Sequence, residues 1–115
     1  MIAAGNLYSG IPEILPAEQS AELMSSPHVG IERIVARGQA SPPGFWYDQD
    51  WDEWVVVLAG SAGLLIEGEA APRALTPGDY VHLRAHVRHR VAWTDSERAT
   101  VWLAVHVRER TGGAP

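Results

Sequence analysis

Three side chains in this sequence, Gln49, Glu53 and His89, have the types and the spacing to build one polar centre. An amide oxygen, a carboxylate and an imidazole nitrogen together can hold a cation, share a proton or bind a hydroxylated molecule. Side chains alternate between the two faces of a strand, so odd and even positions can be read separately. Over 45–57 the odd residues are Phe45, Tyr47, Gln49, Trp51, Glu53, Val55 and Val57, while Asp48, Asp50 and Asp52 share the even face. Glu53 therefore stands in an apolar or aromatic row. An isolated ionised carboxylate there costs several kcal/mol, so it must be neutral, paired or bound to a cation. From Val81 to Trp93 the odd row is apolar except for His89.

Rival chemistries fit these residues less well. His82, His86 and His89 stand at i, i+4 and i+7, which would set three zinc ligands on one side of a helix. Strict alternation, β-branched residues and the Pro77-Gly78-Asp79 turn favour a strand instead. Asp48, Asp50 and Asp52 begin like a calcium loop, but such a loop next needs Gly where Glu53 stands and later an acid where Ala59 stands. They read as a solvated strand face opposite Arg84, Arg88 or Arg90. His106 lies opposite the row Val101, Leu103, Val105 and Val107 and reads as a surface or dimer-contact histidine.

The elements that must position these residues are mostly strands. Short apolar alternations (GIERIVARG, AGLLIEG, DYVHLRAHVRHRVAWT, ATVWLAVHV) are separated by turn residues at Ser41-Pro42-Pro43-Gly44, Gly60-Ser61, Glu67-Gly68-Glu69 and Thr94-Asp95-Ser96. That pattern predicts an all-β antiparallel sandwich or barrel. One exception is Leu15 to Met24, where Pro16 and good helix formers predict a short helix closed by Pro27. The expected organisation is an N-terminal arm with this helix over 1–28, a barrel over 29–110 and a frayed tail over 111–115.

Composition narrows the function. The 115 residues suit one domain with its own core. Nine basic against fourteen acidic residues, a formal charge of −5 and no basic tract argue against a nucleic acid partner. With no cysteine, thiolate catalysis, iron–sulfur clusters and cysteine zinc sites are excluded. The N-terminus lacks the pattern of a signal peptide, and Val55 to Ile66 is too short to span a bilayer, so a soluble, cytoplasmic protein without membrane contact is expected.

The residues from Glu53 through WVVVLA to Gly60 resemble the end of the first cupin motif, G(x)5HxH(x)3-4E(x)6G. Gly78 through His89 has the spacing of the second, G(x)5PxG(x)2H(x)3N. WYDQDWDEWVV, PGDY and HRVAWT look in particular like small single-domain bacterial cupins. The resemblance implies a double-stranded β-helix, a jelly-roll-like barrel. It departs from the motifs in that Tyr47 and Gln49 replace the two first-motif histidines, while Arg84, His86 and Trp93 replace Pro, Gly and Asn of the second.

Carried onto this chain, the resemblance implies a mononuclear iron, manganese, nickel or zinc site acting on a small organic molecule. Its ligands would be Glu53, His89 and Gln49, with His86 swinging inward at its turn. Glu53 and His89 would be the catalytic residues, and Tyr47, Trp51 and Trp93 pocket walls. The alternative is a metal-free small-ligand or sugar-isomerase-like pocket in which Glu53 and His89 form a pair. A third reading makes that pair purely structural. Sheet edges and exposed tryptophans further imply a homodimer.

Overall fold

The computed structural model describes residues 1–108. The tail expected over 111–115 lies outside them. In chain order the strands are β1 (Gln19–Ser25), β2 (Val29–Ala36), β3 (Asp52–Ala59), β4 (Ala62–Ile66), β5 (Arg73–Leu75), β6 (Tyr80–Leu83), β7 (His89–Thr94) and β8 (Thr100–Val107). They form one sheet in the order β1-β2-β8-β3-β6 and a second in the order β5-β4-β7, with every pairing antiparallel. An all-β barrel is therefore what the alternating pattern produces.

The core lies between the two sheets. Val55 and Val57 from β3, Ala62 and Leu64 from β4, Leu75, Leu83, and Trp102 and Ala104 from β8 form its buried cluster. Burying each Val or Leu there contributes roughly 1.5–3 kcal/mol. In β3 the inward row continues to Glu53, which is buried at the open end of the same face. A second cluster, Leu15, Val35 and Val101, sits on the outer face with Ile11 packed against it. The N-terminal segment is tied down over this patch by its own barrel. Arg33 Nη1 donates to the carbonyls of Leu7 (3.2 Å) and Ser9 (2.6 Å), and Gln39 Nε2 donates to that of Leu15 (2.7 Å).

Two expectations are corrected. The short helix over Leu15 to Met24 does not form; Gln19–Ser25 is instead an edge strand, paired with β2 from Gln19↔Val35 to Ser25↔Gly30 with a register shift between Glu22 and Met24. A helix of this length is marginal by itself, and the open edge of β2 satisfies the same backbone groups. The alternation from Val81 to Trp93 is also not one strand, because β6 ends at Leu83 and a turn carries the chain to His89. Within that turn His86 takes φ 66°, and Val87 N donates to the Arg84 carbonyl at 3.1 Å. Among the described residues no helix is long and apolar enough to cross a membrane.

Candidate functional site

A cavity of about 200 Å³ opens between the sheets, and Gln49, Glu53 and His89 all line it. Each arrives from a different element. Glu53 comes from the start of β3 and His89 from the start of β7. Gln49 lies in the irregular segment before β3, where its carbonyl accepts the His86 N–H at 2.7 Å. Tyr47 exchanges two backbone hydrogen bonds with His89, at 2.8 and 3.2 Å, and its ring stacks on the imidazole with centroids 5.3 Å apart. The floor is apolar, made of Ile34, Val55, Leu64, Leu83, Val91 and Trp102.

Hydrogen-bond partners fix the state of His89. Its Nδ1 lies 2.9 Å from the Val87 carbonyl, which can only accept, so Nδ1 carries the proton. In the neutral ring Nε2 is then a bare acceptor. It lies 4.0 Å from Glu53 Oε1, too far for a hydrogen bond, and both side chains are about nine-tenths buried. Among the described residues the Glu53 carboxylate makes no closer polar contact. Among the described residues the two acceptors meet no donor, and both face cavity space that a donor or a cation would fill.

His106 belongs to this cavity as well. The sequence reading sent it to the surface, but the barrel interior takes the even row of β8, Trp102, Ala104 and His106. Both rows of β8 are apolar enough to be core, so alternation had no polar face to choose by. The outward row is partly covered, since Val101 lies under the N-terminal segment. Trp51 Nε1 donates to His106 Nδ1 at 2.9 Å, and His106 Nε2 lies 2.9 Å from Glu32 Oε1. Because an indole N–H only donates, His106 holds its proton on Nε2 and gives it to Glu32.

Carboxylates set the electrostatics. Glu18, Glu32 and Glu53 all line the cavity. Glu18 is largely exposed, yet its carboxyl is pushed above its ordinary value, first by lost solvation on the cavity side and then by Glu32. The Tyr47 phenol is pushed up by burial and then by Glu18, Glu53 and Glu32, which keeps it a proton donor.

Other sequence candidates lie elsewhere. His86 turns outward, with its side chain 64 % exposed and Nδ1 2.9 Å from Asp48. Its left-handed backbone aims it away from Gln49, Glu53 and His89. Trp51 borders the adjacent groove beside His106. Trp93 is 40 % exposed because a bulge, Gly63↔Trp93 followed by Leu64↔Val91, inserts one residue in β7 and flips its parity. There its indole covers Gly63, a close approach that leaves no room for a Cβ. Asp48 and Asp52 bond His86 and His82, while Arg88 pairs with Glu67 and Arg90 with the Ser41 carbonyl.

The donor set does not match the metal site implied by the cupin motifs. Among the described residues no three His, Asp or Glu side chains cluster as metal ligands. Where the motif has two histidines this chain offers a phenol and an amide, leaving one imidazole and one carboxylate 4.0 Å apart.

A family model described as a cupin domain matches residues 32–106. Among solved structures, a candidate mannose-6-phosphate isomerase from Ralstonia eutropha JMP134 is 53 % identical. That match covers 94 % of this chain and 100 % of the other, with a TM-score of 0.91. A cupin superfamily protein from Desulfitobacterium hafniense DCB-2 is 19 % identical, covers 86 % and 84 %, and has a TM-score of 0.71. KdgF from a Halomonas species, also 19 % identical, covers 90 % and 91 % at a TM-score of 0.67. These two share the fold alone. No curated protein matches the sequence.

Proposed function

The chain belongs to the cupin family, and we propose that its barrel takes a small polar molecule without a resident metal, Glu53 and His89 acting as a proton-transfer pair of the isomerase type. The observation that carries this reading is the bare Nε2 of His89, 4.0 Å from a Glu53 carboxylate that has no nearer partner among the described residues. Each of the two acceptors can take up a proton, so the one that has taken it acts as the acid and the other as the base.

On a hydroxy-carbonyl compound the base takes a proton from the hydroxyl-bearing carbon while the acid protonates the carbonyl oxygen. Return of a proton to the neighbouring carbon, with loss of the hydroxyl proton, completes an isomerisation that needs no electron acceptor. Tyr47 and Gln49 supply donors for the substrate oxygens, and the apolar floor excludes water. The 53 % identical candidate isomerase supports the same class.

The test is exchange of solvent deuterium into the carbon next to the carbonyl of added aldoses and ketoses. The wild type is expected to catalyse it and Glu53→Gln to lose it by about 10²-fold or more. Absence of both exchange and ligand-induced stabilisation at millimolar sugar would overturn the reading.

The proposal includes self-association. All seven residues of the edge strand β1 are exposed, Leu23 and Met24 among them at 46 % and 49 %. An open edge that carries two exposed apolar side chains suits pairing with a second copy.

A further inference from the structure

We propose that the occupant of this cavity is a small hydroxylated molecule carrying a protonated amine and no phosphate, an amino sugar in chemical type; this rests on the small-ligand reading above. Charge and hydrogen-bonding capacity both point that way.

Glu18, Glu32 and Glu53 approach the cavity from three directions, the segment before β1, β2 and β3. Glu32 receives only the neutral Nε2–H of His106, whose other nitrogen is occupied by the Trp51 indole, so its charge is not cancelled. Among the described residues that line the cavity there is no Lys or Arg. Arg108 borders the adjacent groove, which Glu22 and Glu32 also line, and its Nη1 donates to the Ser26 carbonyl at 3.2 Å.

Hydrogen-bonding capacity is a separate observation. His89 Nε2, on a residue 5 % exposed, is an acceptor with no donor among the described residues, and it faces a second acceptor, Glu53. A ligand hydroxyl can donate into that gap, while an ammonium group offers three donors and one positive charge to Glu18 and Glu32. A phosphate would bring further acceptors and two negative charges into a site already carrying three carboxylates.

Calorimetric titration of the full chain with mannosamine, mannose and mannose 6-phosphate tests this. Mannosamine is expected to bind about tenfold tighter than mannose, and mannose 6-phosphate on the order of 100-fold weaker than mannosamine. Glu18→Gln should reduce the mannosamine advantage over mannose severalfold. Mannose 6-phosphate binding as tightly as mannosamine overturns the charge inference and leaves the small-ligand reading standing. Binding by none of the three overturns both.

Discussion

His89 and His106 hold their ring protons on opposite nitrogens: Nδ1 of His89 faces the Val87 carbonyl, whereas Nδ1 of His106 accepts from Trp51. The difference gives the two imidazoles different work. His89 presents a free lone pair to the cavity, and His106 is locked between an indole and a carboxylate. Long-range proton–nitrogen NMR at neutral pH is expected to show the Nδ1–H tautomer for one histidine and Nε2–H for the other. Trp51→Phe keeps the ring but removes the donor, and should cost about 1 kcal/mol in denaturant unfolding. An unchanged midpoint would mean that the indole bond does not hold His106.

Glu53→Gln should leave stability within about 1 kcal/mol of the wild type, because among the described residues the carboxylate has no hydrogen bond to lose. The same variant is expected to lose function. A loss of several kcal/mol instead would mark Glu53 as a partner in a tight structural pair.

Two carboxylates shift stability with pH in opposite senses. Asp52 is held below its ordinary value by the Ala85 N–H, then by His82, with Arg84 adding charge. Its contribution is complete above the unfolded-state value and is lost as pH falls through the folded one. Asp52→Ala should therefore cost up to about 1 kcal/mol at pH 7, reduced by solvent at this wet site, and progressively less in acid. Glu18 is raised, so its penalty is absent in acid and grows as pH rises through its folded value. Glu18→Gln should melt higher than the wild type at pH 7 and together with it well below pH 4.5. Differential melting across pH reads both signs.

Iron, manganese, nickel or zinc should leave the melting temperature unchanged, and a chelator should not lower it, because tight binding to the folded state must stabilise it. A one-to-one transition metal that survives purification and disappears in His89→Ala would restore the metal-centred reading.

Light scattering is expected to give the mass of a dimer. Met24→Glu, which places a charge on the open β1 edge, should shift it to monomer without loss of strand content by circular dichroism. A wild-type monomer at high micromolar concentration would remove self-association from the proposal.

Alternation exposed Glu53 and His89 in the sequence because each interrupts an apolar row, and strand pairing preserves parity from Glu53 to Val57. It misled wherever the backbone departs from regular pairing. The bulge in β7 moved Trp93 outside, the turn at Ala85–His86 turned His86 toward Asp48, and the edge of β2 drew Gln19–Ser25 out of a helix. His106 was missed for another reason, since both faces of β8 are apolar and the outer one is sheltered by residues far away in the chain.

The sequence by itself determined the class of fold and the polar residues that an apolar interior must accommodate, because burial and period act locally. Only the tertiary structure decided which face of β8 turns inward and which nitrogen of each histidine is free. It also decided that Glu18 and Glu32 join Glu53 around one cavity, because those outcomes depend on partners brought together by strand pairing across the barrel.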